Sequence, residues 1–293
     1  MPRPTISEID PYERKIVTVL DSEMSYIDVG KGEAIVFIHG NGTFSYAWRN
    51  IIPYVESLGR CLAMDLMGCG KSGDIPSGSY LIPDQSRYLD AWFEATDLGD
   101  NIHLVLHDWG GPLGFDWAYR NQNRIKSITY METLVTPLEW EDWPEVRRDL
   151  FKQFKTPMGE DMALRDGLFI DTIETRIIRN LTEAEWAAYR ERYDEPGESR
   201  RATYDFARSC PIAGEPQNIV DMVNRFADWL SNSQVPKFFI NAYPGSILTG
   251  RQREFCRTWP NQQERTVIGI HYIQEDSPHL IGQGVADFIG SLD

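Results

Sequence analysis

The 293-residue chain predicts an α/β protein, a mostly parallel sheet with helices on both faces. Three observations carry this. Apolar runs of strand character alternate with stretches at helical spacing through most of the chain, the pattern of parallel strands joined by crossover helices. One such run, Ile102 to Leu106, stops at His107-Asp108 and continues as Trp109-Gly110-Gly111-Pro112-Leu113-Gly114. That is a strand, tight turn and helix, in which small residues let the backbone turn sharply and leave one side chain exposed above the sheet. The alternation then breaks between about Thr133 and Gly214, a stretch without buried-strand runs but with aromatic and charged residues at helical spacing. A helical insertion of this kind would lie as a lid over the carboxyl ends of the strands.

Taken in order, Lys15 to Leu20 and Met24 to Val29 read as two antiparallel strands with a polar turn at Asp21-Ser22. Ala34 to His39 is dense enough in apolar residues to be buried on both faces, and it runs into the loop His39-Gly40-Asn41-Gly42-Thr43. Trp48 to Leu58 is expected as a helix, Arg60 to Asp65 as a strand, and Asp84 to Thr96 as a helix. After the Asp108 turn come a helix from Gly110 to Tyr119 and a strand from Ile125 to Met131, ending at Glu132. Within the insertion, Thr182 and Glu185 form a capping-box pattern. The alternation resumes with a helix (Ile219 to Leu230), a strand (Lys237 to Asn241), a helix (Arg251 to Arg257), a strand (Arg265 to Ile270) and a closing helix (Gly282 to Leu292). The organisation expected is a core of residues 1–132 and 215–293, eight strands in all, with a helical cap at 133–214.

Composition bounds the function. A formal charge of −15 gives no basic footprint for nucleic acid. No run approaches the roughly 18 apolar residues of a membrane span. Met1-Pro2-Arg3-Pro4 is followed by charged residues rather than an apolar segment, so no secretory signal is expected. Cys61, Cys69, Cys210 and Cys256 have neither CxxC nor metal-ligand spacing and read as free thiols of a cytoplasmic protein. Asp65 to Ser72 superficially resembles a phosphate loop, but Gly68 and Gly70 stand too close together for GxxxxGK[ST], so nucleotide binding is rejected.

At the sharp turn stands Asp108. A carboxylate is ionised near neutral pH and can attack carbon directly, forming an ester without a base to activate it; the competing use of such an Asp is to cap the next helix. Asn41, Asp108, Glu132 and His271 each follow an apolar strand, so all four should point into one crevice beyond the strands' carboxyl ends. The order nucleophile, acid, His matches a hydrolytic triad. His271 is the expected base, able to take a proton from water, and Glu132 would set its tautomer. His279, at the start of the closing helix, is the weaker candidate. His39 is expected to orient its own loop, His107 to sit inside the turn, and His103 to be structural at the far end of its strand. The segment Asn241-Ala242-Tyr243-Pro244-Gly245 offers no carboxylate, leaving the acid to Glu132. The indole of Trp109 and the amide of Asn41 are neutral N–H donors suited to a departing halide.

The chain resembles the haloalkane dehalogenases of the α/β-hydrolase fold, specifically those with an Asn–Trp halide pair and the acid after strand six. The resemblance rests on Phe37-Ile38-His39-Gly40-Asn41, His107-Asp108-Trp109-Gly110-Gly111, Tyr130-Met131-Glu132, Pro211-Ile212-Ala213-Gly214, Phe255 to Asn261 and His271 to Pro278. It implies Asp108 as nucleophile, His271 as base and Glu132 as acid, with Asn41 and Trp109 binding halide and their backbone amides forming the oxyanion hole. It implies a halogenated alkane, water and halide as the only partners, no cofactor and no metal; monomer and homodimer both stay open. Candidate pocket residues are Phe151, Phe169, Ile173, Ile177, Phe206, Ala207 and Leu248, with Phe169, Ile173 and Ile177 spaced for one helical face. Two positions depart from the family pattern. Gly42 replaces a usual Pro and is expected to loosen its loop, and Ala207 replaces a Pro beside the halide, altering the pocket's shape. The rival readings are an epoxide hydrolase using lid tyrosines (Tyr189, Tyr193, Tyr204), a coelenterazine-type luciferase, and a silent hydrolase-fold receptor.

Overall fold

A computed structural model describes residues 5–143 and 145–292; the Met1 to Pro4 segment that bears on a secretory signal lies outside them. Among the described residues one eight-stranded sheet forms, with strands β1 (Lys15–Val19), β2 (Ser22–Gly30), β3 (Ala34–Ile38), β4 (Arg60–Met64), β5 (Ile102–Asp108), β6 (Ile125–Thr133), β7 (Lys237–Pro244) and β8 (Gln262–Gly269). Their order is β1-β2-β4-β3-β5-β6-β7-β8. β2 pairs antiparallel with β1 and β4, and every later pairing is parallel. β3 and β5 are buried along their whole length; the apolar run of β3 and the Leu104-Val105-Leu106 centre of β5 suit strands covered on both faces. One face packs under the helices Ile82–Ala95, Gly110–Arg120 and Gln217–Asn232. The other is covered by Trp48, Ile51 and Ile52 and by the closing helix Pro278–Gly290.

Between β6 and β7 the chain forms helices only, among them Glu145–Phe154, Pro157–Leu164, Glu183–Arg190 and Arg201–Arg208, apart from isolated bridges at Ile212. The capping box forms as its spacing predicts: Thr182 Oγ1 accepts from the Glu185 N–H, and Glu185 accepts from the Thr182 N–H.

Two expected elements differ. The helix over Trp48–Leu58 is instead two 3₁₀ turns, Ser45–Trp48 and Ile52–Tyr54. Pro53 has no N–H to continue an α-helical ladder, and the buried apolar side chains are placed equally well by separate turns. Phe169, Ile173 and Ile177 do not share one helix either. The helix Leu168–Asp171 stops, the turn Glu174–Arg176 follows, and Ile177 is extended.

Candidate active site

The sheet brings the chemistry together because its central parallel strands end side by side. Asp108 closes β5 with φ +51° and Glu132 lies at the end of β6 with φ +40°, left-handed conformations that non-glycine residues adopt rarely and mostly at functional turns. Gly40 makes room for the Asp108 carboxylate: a Cβ there would lie 2.1 Å from Asp108 Oδ1. The Asn41 backbone N–H donates to that oxygen at 2.6 Å. The other oxygen, Oδ2, stands 3.3 Å from His271 Nε2. Across the imidazole, His271 Nδ1 is 3.4 Å from Glu132 Oε2, which also accepts from the backbone N–H groups of Ser246 and Ile247 at 3.0 Å each.

All three side chains are out of solvent, so their charges act strongly on one another. Burial alone would raise the Asp108 pKa, but its hydrogen bond and attraction to His271 and the Trp109 backbone N–H outweigh this and bring it down to about 2. Burial would lower His271, yet Asp108 and Glu132 flanking the ring hold it above the ordinary value. His107 moves the other way, down to about 3, from burial and the neighbouring His271.

The remaining histidines have structural work. His39 bonds the Gly40 carbonyl and accepts from the Leu66 N–H. His107 bonds the His271 carbonyl at 2.8 Å, His103 bonds Ser127, and His279 bonds Tyr54 at 3.0 Å. His271 is the histidine that stands beside both Asp108 and Glu132.

A small inner cavity of about 30 Å³ is lined by Asn41, Asp108, Trp109, His271, Phe151, Phe169 and Ala207, joined by Leu134, Trp143, Arg176, Cys210, Ile247 and Tyr272. It has room for a water- or halide-sized group rather than a long chain. Beside it lies an outer chamber of about 400 Å³, the size of a small-molecule site. The two share Trp143, Phe151, Arg176, Ile247 and His271.

Of the candidate pocket residues, Phe151, Phe169 and Ala207 lie on these walls, whereas Ile173, Ile177, Phe206 and Leu248 are buried but stand outside both. Phe206 packs behind Trp109, ring centroids 6.2 Å apart. Burial pushes the Cys210 thiol up to about 12, leaving a neutral wall. Tyr272, Leu134 and Ile247 adjoin residues that sequence reasoning singled out or segments it inspected, a usable signal. Arg176, next to Ile177, and Cys210, next to the Pro211 to Gly214 motif, shared that signal, and Trp143 carried none.

Two details revise the expected loop. Asn41 uses one amide N–H on the Thr203 carbonyl at 2.9 Å, so its two donors do not both face the cavity. Gly42 sits at φ +73°, closed to proline, and a Cβ there would lie 2.9 Å from Ile173 Cδ1. The loop thus follows a path of its own against Ile173, Phe169 and Tyr272, rather than a proline-compatible path made looser.

A family model described as the alpha/beta hydrolase fold matches residues 33–197, and with the sheet order and strand-end site this makes the chain an α/β-hydrolase. A haloalkane dehalogenase from Sphingobium indicum is 50% identical over 284 residues, 96% of each chain. The coelenterazine h 2-monooxygenase of Renilla reniformis is 37% identical, covering 94% of this chain and 90% of that one. Among solved structures, a haloalkane dehalogenase from Agrobacterium tumefaciens superimposes with TM-score 0.92 at 28% identity, over 99% of this chain and 100% of the other. The chain belongs to the haloalkane dehalogenase family.

Proposed function

We propose that this protein hydrolyses haloalkanes to primary alcohol and halide through an alkyl ester on Asp108. The observation that carries the reading is the division of labour between the two oxygens of one carboxylate. Oδ1 is held by the Asn41 N–H, while Oδ2 is left for attack beside His271. In the first step Oδ2 bonds to the substrate carbon as the carbon–halogen bond breaks, and its electron pair leaves with the halide toward the Asn41 amide and Trp109 indole. In the second, His271 Nε2 takes a proton from water and the hydroxide adds to the ester carbon. The backbone N–H groups of Asn41 and Trp109 hold the resulting oxyanion. Collapse returns the Asp108 carboxylate and the alcohol, and His271 passes its proton to solvent. Glu132 orients the imidazole and supports its charged form. Residues 133–214 act as the cap that closes the crevice. Buried, free cysteines support a cytoplasmic, reducing setting; no helix of the described residues is long and apolar enough to cross a membrane.

The alternatives are less well supported. Tyr189, Tyr193 and Tyr204 line neither cavity, and Tyr189 donates to Glu275, so the tyrosines an epoxide hydrolase needs are not at the nucleophile. The monooxygenase relative is less similar than the dehalogenase, at 37% against 50% identity.

The test uses the two-step scheme. His271→Phe should release about one equivalent of halide per site and stop with the alkyl group on Asp108, read by intact mass. Asp108→Ala should release none while keeping its fold. Sustained turnover by either variant would refute the mechanism.

A further inference from the structure

The outer chamber carries two guanidinium groups and no carboxylate to match them. Arg147 and Arg176 both line it, with Thr172, Thr175 and Ser246. Arg147 donates to Ser246 Oγ at 3.0 Å and to the Thr175 carbonyl at 3.4 Å. Arg176 donates to Thr172 Oγ1 at 3.0 Å and lies over the Phe169 ring at 5.1 Å. Among the described residues neither arginine forms a salt bridge, although the chain carries 44 acidic residues against 29 basic ones. Two donors on these walls, Arg176 Nε and Trp143 Nε1, are buried without a hydrogen-bond partner. Buried donors are almost always satisfied, so a pair of them on one cavity's walls points to an acceptor that comes from outside the chain. Burial, with Arg176 close by, lowers the pKa of Arg147 against a smaller opposing pull from Tyr272 and Glu132. The backbone fixes Arg176 at the junction of the two spaces: its carbonyl accepts from the His271 N–H at 3.1 Å and the Tyr272 N–H at 3.4 Å.

We propose that the outer chamber is an anion subsite, and that the preferred substrates are haloalkanes with a carboxylate at the end remote from the carbon–halogen bond. The inner cavity, at about 30 Å³, admits the reacting end alone. The rest of the substrate must occupy the chamber, where its carboxylate meets Arg147 and Arg176 through charge-assisted hydrogen bonds. The bond chemistry at Asp108 is unchanged, and the product is the corresponding hydroxy acid. This inference rests on the dehalogenase reading.

The experiment compares 6-bromohexanoate with the neutral 6-bromohexan-1-ol, both followed by bromide release. In the unmodified protein kcat/KM should favour the acid. Arg147→Gln and Arg176→Gln should each reduce the acid-to-alcohol ratio, and the double variant should reduce it about tenfold or more, chiefly through KM for the acid. Hexanoate should also inhibit turnover of the bromoalcohol, and less so in the variants. Turnover of the alcohol with no preference for the acid, or a ratio that the substitutions leave untouched, overturns the anion subsite alone. Failure to release bromide from either compound overturns the dehalogenase reading and the subsite with it.

Discussion

Two pairs of arginines in this molecule face opposite surroundings. Arg49 and Arg179 clasp two carboxylates: Arg49 bonds Glu275 at 2.6 Å and Glu185 at 2.7 Å, and Arg179 bonds the same Glu185 at 2.6 Å and Glu275 as well. Tyr189 adds a further bond to Glu275. Arg147 and Arg176 have hydroxyls, carbonyls and each other. The pKa directions follow. Burial opposes the charge of Arg49, but Glu275 overcomes it and raises the pKa; Arg147 has no such partner and is lowered. The first pair ties the stretch between β6 and β7 to the rest of the chain, since Glu185 and Arg179 lie within that stretch and Arg49 and Glu275 outside it. The same residue type can therefore fasten or wait, and the carboxylates around it decide which. His271 stands between the two cases, because its charge is conditional.

The largest effect should come from unpairing the clasped pair. Glu275→Gln leaves buried guanidinium charge short of a counter-ion and should cost about 3 kcal/mol or more in urea unfolding; a loss under about 1 kcal/mol would erase the distinction. A smaller effect is expected from pH. The folded pKa of His271 is raised, so its contribution to stability is full below the unfolded value near ~6.5 and fades as pH rises through the folded one. Turnover should run the opposite way, rising with pH as the ring becomes neutral. The stability difference between the unmodified protein and His271→Phe should therefore shrink from about pH 5 to about pH 9 while halide release by the unmodified protein rises; His39 and His107, both held low, add the opposite trend equally to the two proteins. Least of all, Arg176→Gln should alter stability by no more than about 1 kcal/mol. A loss as large as that of Glu275→Gln in the same assay would mean Arg176 is a fastener too.

The core site was legible for a simple reason. Asp108, Glu132 and His271 each terminate an apolar run, and parallel topology alone makes neighbouring strand ends converge. The resemblance added the halide-binding roles proposed for Asn41 and Trp109, but not the side-chain bond from Asn41 to Thr203, a contact between segments 162 residues apart. The insertion was far less legible. Its walls come from turns, where 3.6-residue spacing has no meaning: Ile173 and Ile177 satisfied the period yet lie on a broken path behind the cavity. Arg176 and Arg147 are 29 positions apart and no motif joins them; only the fold puts both on one chamber wall. Over Trp48–Leu58 too, helical spacing stood for two 3₁₀ turns rather than one helix.

The 3.3 Å contact between Asp108 Oδ2 and His271 Nε2 has a temporal meaning in the proposed reaction. Before attack, the negative carboxylate helps keep a proton on the ring, and a protonated imidazole cannot activate water. Esterification turns that oxygen into a neutral one and removes the attraction, so the proton's hold on His271 weakens just as the ester needs hydrolysing. The first step thus releases the catch on the second. When the carboxylate returns, the proton's hold is restored and the clock is reset for the next substrate.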